Sequence, residues 1–243
     1  FTVAANDAGL SAFPAMVLAV SLSAALAFVI GAICARSIGI YFIMATLAFG
    51  QMAYSFVFQS PLFGGDDGLS GAPRPDLSAI GIDLTDSRAF AIYAIAMVAL
   101  TYLVAASTLR SGLGRSLVGL HHNEKRLRAL GLTVWRAKAT AFAISGALAG
   151  LAGCLAAQHT QYISPGLLSW TVSGEALVVV ILGGLGTLVG PIVGAATFLL
   201  LREGLGRLFG DQFPYLIPLG FIFIAIIIFL PQGLLGFMRR WLN

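Results

Sequence analysis

The sequence has very little charge. Of its 243 residues, only 10% are Asp, Glu, Lys or Arg, whereas 58% are hydrophobic. A soluble domain typically carries about 25% charged residues, so this chain lacks the polar surface that water requires. The scarcity of charge excludes an ordinary soluble protein and favours one that resides in a lipid bilayer.

Residues for metal or catalytic chemistry are also scarce. The two cysteines, Cys34 and Cys154, both fall within apolar runs, so we expect buried thiols and neither a disulfide nor metal ligands. His121 and His122 are adjacent, so on a helix they point to different faces and lack the His-Glu-x-x-His spacing of a zinc site. No Gly-x-x-x-x-Gly-Lys phosphate-binding motif occurs. We therefore expect no metal, no cofactor and no enzymatic activity on this chain.

What the sequence does have is long apolar runs. Several approach the roughly 20 residues that a helix needs to cross ~30 Å of hydrocarbon. We predict an all-α fold, a polytopic transmembrane helical bundle that forms a single membrane domain over residues 1–243. The six predicted segments are Phe13–Ala35, Ile38–Phe58, Ala89–Leu109, Ala137–Ala157, Glu175–Leu201 and Pro214–Leu230.

The few charges are distributed unevenly and orient these segments. The loop over residues 110–138 has seven basic residues and one acid, whereas the loop over residues 59–88 has five acids and two basic residues. Cytoplasmic loops of membrane proteins are enriched in Lys and Arg, so the first loop should be cytoplasmic and the second external. Arg36, Arg239 and Arg240 should then be cytoplasmic as well.

A count of crossings tests this orientation. If each of the six segments crossed the membrane once, Arg239 and Arg240 would lie outside. A seventh crossing brings them inside, and the fifth segment supplies it if it consists of two short helices joined by a turn over residues 183–191. Glycine and proline permit such a turn, and irregular backbone survives in a membrane where protein or a water-filled cavity covers it. We therefore predict a glycine-broken, hairpin-like segment; the alternative is one long, tilted, kinked helix.

Small residues recur four positions apart in two segments. This spacing lets a second helix approach closely and indicates tight packing, with no particular chemistry. The fourth segment contains Ser145, Gly146, Ala149, Gly150 and Gly153, and the fifth contains Gly186, Gly190 and Gly194.

The cytoplasmic loop contains one helical stretch. Residues 123–130 lack glycine and proline and favour a short helix, and Gly131 suits its C-terminal cap. A short, charged, capped helix on the cytoplasmic face suits docking to a partner protein. The alternative is an ordinary basic loop.

Glu175 is open to two interpretations. An acid at membrane depth is costly and often functional, whereas an acid at the outer interface would be a solvated cap at the start of a helix. The external stretch Gly64–Gly71 has two aspartates but lacks the alternating acids of a calcium loop. There we predict a flexible turn in contact with an external partner.

Five blocks together resemble a known family, the M-type permease subunits of branched-chain amino acid ABC importers. Their order and spacing cover nearly the whole chain, although His121 and His122 stand where the family often has Arg followed by an acid. Family members usually begin with further membrane helices, so we expect the native chain to begin upstream of Phe1. The blocks are residues 39–51, 63–69, 123–131, 175–195 and 229–236.

The resemblance implies a role and a set of partners. It implies a permease subunit of an ATP-driven importer for branched-chain amino acids or related small organic solutes. The expected partners are membrane lipid, a homologous second permease subunit that completes the translocation path, two cytoplasmic ATPase subunits that bind the ATP, and a periplasmic substrate-binding protein, with no nucleic acid. The expected location is the bacterial plasma (inner) membrane, with a cytoplasmic C-terminus. The alternative is a stand-alone secondary transporter or channel, for which Glu175 is the candidate ion-coupling residue.

The resemblance also implies functional residues in three places. Coupling to the ATPase is expected within residues 110–138. The three sets are Asn123, Glu124, Arg128 and Gly131 for coupling; Glu175, Gly183, Gly184, Gly186 and Gly190 for the translocation path or its gate; and Gly65, Asp66, Asp67 and Gly68 for contact with the external partner.

Overall fold

The computed structural model describes residues 1–6, 9–37, 39–75, 84, 86–209 and 220. The described chain is almost entirely helical, with two strands of two residues each. Its α-helices and strands in chain order are α1 (Thr2–Asn6), α2 (Ala12–Cys34), α3 (Ile40–Gln59), β1 (Leu69–Ser70), α4 (Ser87–Arg110), α5 (Gly112–His122), α6 (Glu124–Ala129), α7 (Val134–Thr160), β2 (Tyr162–Ile163), α8 (Trp170–Gly183) and α9 (Gly190–Phe209). Short 3-10 helices occur at Pro61–Phe63, Gly65–Asp67 and Pro165–Leu168.

Four of the described helices, α2, α3, α4 and α7, are long and apolar enough to cross a membrane. Their ends lie within three residues of the first four predicted segments. Large hydrophobic side chains on these helices, such as Phe13 and Ile92, are exposed, and contiguous apolar surface of this kind marks contact with lipid or protein. The prediction of an all-α polytopic membrane protein is confirmed. Of the sixth segment, Pro214–Leu230, only Gly220 is among the described residues. Arg239 and Arg240 lie outside them.

The chain divides into two compact units, residues 1–169 and 170–243. The core of the first unit is the antiparallel pair of α2 and α7. A Cβ at Gly31 would lie 2.6 Å from Phe142 Cβ, and a Cβ at Gly150 would lie 2.7 Å from Ser23 Cβ. Only glycine allows the two helices to approach this closely, so the predicted tight packing of the fourth segment is confirmed, with α2 as its partner. Gly153 is not part of this contact, because a Cβ there would meet no atom within 4 Å.

The antiparallel pair brings the predicted cytoplasmic features to one end of the first unit. Arg36, which follows α2, and Trp135, at the start of α7, line a common groove. Helices α5 and α6 pack against α7 at the same end. At the opposite end, β1 pairs with β2, which directly follows α7. The basic and acidic loops therefore lie at opposite ends of α7.

Both cysteines are free thiols in the interior of the first unit. Cys34 ends α2 and is 1% exposed, and Cys154 lies in α7 and is 3% exposed. The interpretation of both residues as small buried thiols is confirmed.

Candidate functional site

Helix α6 is short and capped at both ends. Asn123 adopts an extended backbone that ends α5, and its Oδ1 accepts a hydrogen bond from Arg126 N at 3.1 Å, as an N-terminal cap should. At the other end Gly131 takes a φ of +81°, and the amides of Gly131 and Leu132 donate to Arg128 O and Leu127 O. This is the Schellman arrangement, which favours glycine at the left-handed position. The predicted helix and its glycine cap are confirmed.

Helix α5 was not predicted from the sequence. Its three glycines argue against a helix, but Ser111 caps it by accepting a hydrogen bond from Gly114 N. A Cβ at Gly119 would lie 2.9 Å from Leu127 Cδ1. Helices α5 and α6 therefore fold against each other at Asn123, and the basic loop is a compact helical pair. The signal that could have revealed α5 is the spacing of Leu113, Leu117 and Leu120 on one helical face.

Glu124 is held between two cations. Its carboxylate accepts from Arg128 Nη2 at 2.7 Å and from Lys138 Nζ at 2.9 Å. The Glu124 side chain is 20% exposed and that of Lys138 19%, whereas Arg128 is 51% exposed. The contact with Lys138 fastens α6 to α7, and the sequence did not predict it because the two residues are 14 positions apart.

The two cations determine the protonation of Glu124. Burial by itself would raise the pKa of this carboxyl, but the hydrogen bonds and charges of Lys138 and Arg128 lower it by more. The net result is a pKa below the ordinary value, because both partners favour the ionised form. Glu124 is therefore a carboxylate at neutral pH, and the ion pairs are intact there.

Lys138 extends this contact to α3. Its Nζ lies 5.7 Å from the centre of the Phe42 ring, within the range of a cation–π interaction. Phe42 in turn meets Phe142 edge to face, with ring centres 5.5 Å apart. Lys138 thus connects α6 with the starts of both α3 and α7.

The fifth segment is broken, as the count of charges predicts. Helix α8 ends at Gly183, and α9 begins at Gly190 and returns antiparallel to it. A Cβ at Gly183 would overlap the backbone of Gly190, and a Cβ at Gly194 would overlap Val179 O. The two backbones thus touch directly, and the alternative of one continuous kinked helix is wrong.

The turn between α8 and α9 has its own hydrogen bonds. Thr187 Oγ1 accepts from Gly190 N at 3.1 Å and donates to Gly184 O at 3.2 Å. Gly184 and Gly186 have φ values of +118° and +86°, a backbone region that favours glycine. A Cβ at Gly186 would meet no atom within 4 Å. Gly186 therefore allows the backbone conformation of the turn. The prediction that it contributes to helix packing together with Gly190 and Gly194 was wrong.

Glu175 lies inside α8 and not at its start. The helix begins at Trp170, so Glu175 is more than one turn into it and is exposed. An N-terminal cap precedes the first helical residue, so the interpretation of Glu175 as a helix cap was wrong. Its role in the translocation path stays a prediction.

The loop that we predicted to be external is attached to the end of α7. Leu69 pairs with Ile163 across the two-stranded sheet, and Tyr162 Oη donates to Asp67 O at 2.9 Å. Gly68 has a φ of +68°, and a Cβ there would overlap Ile163 O. This attachment gives residues 64–71 backbone partners and leaves Asp66 and Asp67 exposed. The flexibility of this turn and its contact with an external partner stay predictions.

Arg74 adds a second attachment for this loop. Its Nε donates to Gln158 O at 3.1 Å and its Nη1 donates to Leu84 O at 2.8 Å. The guanidinium also lies 4.8 Å from the centre of the Phe90 ring. Arg74 thereby contacts both α4 and the end of α7, and the sequence did not predict these contacts.

Comparison with known proteins identifies a common family for most of the chain. The family model described as the permease component of the branched-chain amino acid transport system matches residues 1–230. No solved structure is significantly similar to the chain.

Curated relatives carry the same description. The chain is 32% identical to the high-affinity branched-chain amino acid transport system permease protein LivM of Salmonella typhimurium and 31% identical to LivM of Escherichia coli. Each alignment covers 97% of this chain and 60% of the relative. The permease protein BraD of Pseudomonas aeruginosa is 30% identical over 60% of this chain and 46% of its own length. The chain thus spans less than two thirds of the curated relatives it matches.

Proposed function

The chain belongs to the permease family of branched-chain amino acid transport systems, and on that premise we propose that it is a membrane subunit of an ATP-driven importer. Its substrates are branched-chain amino acids or related small organic solutes. It forms half of the translocation path, and a homologous second permease forms the other half. Two cytoplasmic ATPase subunits bind and hydrolyse ATP, and a periplasmic binding protein delivers the substrate.

The observation that carries this proposal is the ion-paired helix α6. It is short, basic and capped at both ends, and it lies at the same end of the first unit as Arg36 and Trp135. The positive-inside rule makes this end cytoplasmic, where ATPase subunits are accessible. Asn123 and Gly131 fix the ends of α6, Arg128 is exposed for contact, and Glu124 ties the helix to α7.

Helix α7 offers a path for motion between the two faces of the membrane. It has 27 residues, which corresponds to a length of ~40 Å, more than the ~30 Å of hydrocarbon. We propose that closure of the ATPases displaces α6, and that the Lys138 contact passes this displacement to α7 and α3. The exposed residues Asp66 and Asp67, in the loop attached to the other end of α7, contact the binding protein.

The α8–α9 turn is the proposed gate of the path. Helix α8 has 14 residues, or ~21 Å, which is too short to cross the hydrocarbon. Such a half-length helix with a glycine turn is typical of binding and gating elements in transporters. In this assignment Gly183, Gly184, Gly186 and Gly190 shape the gate, Glu175 lines the path, and the protein lies in the bacterial inner membrane with its C-terminus in the cytoplasm.

A double substitution tests the coupling role of α6. The full-length chain is reconstituted in vesicles with its ATPase, permease and binding-protein partners, and substrate-stimulated ATP hydrolysis is measured. Glu124→Gln with Arg128→Gln should lower the stimulated rate at least about tenfold, equivalent to ~1.4 kcal/mol of coupling. Basal hydrolysis by the isolated ATPase subunits should not change.

The second unit supplies a matched control. Glu203 and Arg207 also form a pair one helical turn apart, with N and O 3.2 Å apart. Glu203→Gln with Arg207→Gln should leave the stimulated rate within about twofold, because exposed pairs contribute little. If the two double substitutions changed the stimulated rate of ATP hydrolysis equally, the proposed coupling role of α6 would be wrong. Uptake by the chain alone, without ATPase subunits or ATP, would instead support the stand-alone transporter, which the family does not favour.

A further inference from the structure

A groove lies between the end of α2 and the start of α7, at the end of the first unit that carries the basic loop. Its volume is about 360 Å³, and the described residues that line it are Ala32, Ile33, Arg36 and Trp135. Ile33 is 53% exposed and Trp135 is 44% exposed, so both side chains present apolar surface to their surroundings. The groove is therefore open, and much of its wall is apolar.

The groove changes from apolar to cationic over a short distance. Ala32 and Ile33 belong to the last turn of α2, a helix that is long and apolar enough to cross a membrane. Arg36 is exposed and follows the end of that helix, and three helical residues rise only about 5 Å. Trp135 lies at the start of α7, and tryptophan is enriched at the interface between hydrocarbon and water. The groove thus suits a position that spans the edge of the hydrocarbon and the headgroups.

A second arginine adjoins the groove. The guanidinium carbon of Arg136 lies 5.4 Å from the centre of the Trp135 ring, within the range of a cation–π interaction. Arg136 is exposed, and this contact keeps its guanidinium near an indole that lines the groove together with Arg36. Two guanidinium groups are therefore within reach of a ligand in the groove.

The helices around the groove offer these two arginines no carboxylate. Residues 12–59, which include α2 and α3, contain no Asp or Glu, and residues 87–160, from α4 to α7, contain only Glu124. Both oxygens of that carboxylate already accept from other cations, Arg128 and Lys138. Arginine forms charge-assisted, bidentate hydrogen bonds with phosphate. The groove therefore suits a ligand that combines an anionic phosphate with an apolar chain.

We propose that the groove binds an anionic phospholipid of the bilayer, with its phosphate held by Arg36 and Arg136 and an acyl chain against Ile33. Basic pockets between membrane helices bind acidic lipid headgroups in this way, and burial of apolar surface at Ile33 adds to the binding. A carboxylate of a partner protein would satisfy the arginines but would leave Ile33 uncovered. The proposal does not depend on the transport function proposed above, because lipid binding needs neither ATPase subunits nor substrate.

Quenching of Trp135 fluorescence measures lipid binding at the groove directly. The full-length chain, with every other tryptophan including Trp170 and Trp241 replaced by phenylalanine, is reconstituted in phosphatidylcholine vesicles that contain brominated phosphatidylglycerol at increasing mole fraction. A parallel series with brominated phosphatidylcholine measures ordinary lipid contact. We expect phosphatidylglycerol to bind at Trp135 at least about fivefold more tightly than phosphatidylcholine, because basic residues near the membrane surface attract anionic lipid.

Two double substitutions assign this preference to the groove. Arg36→Gln with Arg136→Gln should reduce the preference for phosphatidylglycerol to within about twofold, because both phosphate contacts are lost. Arg115→Gln with Lys125→Gln is the matched control, since it removes the same charge from exposed positions of the basic loop that do not line the groove. This control should keep the preference. Equal binding of the two lipids by the unaltered groove, or equal losses in the two double substitutions, overturns the proposal.

Salt provides a second measurement if the double variant at the groove fails to fold. Raising the concentration of sodium chloride should weaken the preference of the unaltered groove, because salt screens the attraction between guanidinium and phosphate. A preference that does not change with salt contradicts the role of the two arginines and overturns the proposal.

Two additions distinguish the lipid from other anionic occupants. Inorganic phosphate, compared with chloride at the same ionic strength, should leave the preference unchanged, because free phosphate has no chain to lie against Ile33. Loss of the preference in phosphate means that the groove binds an anion alone, and it overturns the assignment to a lipid. Binding of the ATPase subunits should likewise leave the preference unchanged. Its loss on their addition means that a protein carboxylate meets the arginines, which also overturns the proposal.

Discussion

Two antiparallel helix pairs among the described residues both depend on glycine, but in different ways. Between α2 and α7, the nearest atom to each closely packed glycine belongs to a side chain of the other helix, as Gly150 meets Ser23. Between α8 and α9, glycines meet backbone, as Gly183 meets Gly190 and Gly194 meets Val179 O. A side chain at a contact can be exchanged for a smaller one, whereas a carbonyl group cannot. A smaller residue on the partner helix can therefore relieve the closest contacts of the first pair. No substitution can relieve the closest contacts of the second pair in this way.

The largest effect is expected from Gly183→Ala. The added methyl group would overlap the backbone of Gly190, and no smaller residue there could relieve it. We expect a loss of at least about 3 kcal/mol of stability, seen as failure to obtain monodisperse protein or as a large drop in unfolding temperature. Gly174→Ala in the same helix is the control, because a Cβ there meets no atom within 4 Å. Similar unfolding of the two variants would show that the α8–α9 contact tolerates a side chain.

A smaller and reversible effect is expected from Gly150→Ala. Its methyl group would lie 2.7 Å from Ser23 Cβ, and such overpacking costs about 1–3 kcal/mol. Ser23→Gly in the same chain removes the atom it meets, so the double variant should recover most of the lost unfolding temperature. Gly153→Ala, one turn further along α7, should be neutral or slightly stabilising. If the effects of Gly150→Ala and Ser23→Gly on stability simply add in a double-mutant cycle, the two residues are not in direct contact.

The smallest effect concerns the charged contact between α6 and α7, which differs from both glycine contacts in responding to pH. The folded-state pKa of Glu124 is below the ordinary value of 4.5. Its stabilisation is therefore fully present above pH 4.5 and is lost as the pH falls through the lower, folded-state value. We expect a loss of at most about 1 kcal/mol, seen as faster amide hydrogen exchange over residues 124–129 after correction for intrinsic rates. Glu124→Gln should abolish this pH dependence, and an unchanged dependence would assign it to another group.

The sequence was sufficient for features that depend on neighbouring residues. The four long helices follow from the length of apolar runs, α6 follows from its missing glycines and the Gly131 cap, and the α8–α9 break follows from the positions of Arg239 and Arg240. Features that join distant residues were not predictable in this way. The β1–β2 pair joins Leu69 to Ile163 through strands too short to show an alternating pattern.

The candidate sites show the same division. The sequence predicted a short helix at Glu124, but its partner Lys138 lies on another helix and no local pattern connects them. The small residues of α7 predicted a close helix partner, but only the structure identifies α2 as that partner.

The antiparallel course of α8 and α9 has an electrostatic consequence. Each helix behaves as though it carried about half a positive charge at its N-terminus and half a negative charge at its C-terminus. At the turn, the negative end of α8 at Gly183 lies beside the positive end of α9 at Gly190. These partial charges attract each other, and residues 184–189 between them are uncharged. Carbonyl and amide groups of opposite partial charge therefore lie close together at this turn, while the opposed dipoles largely cancel at a distance.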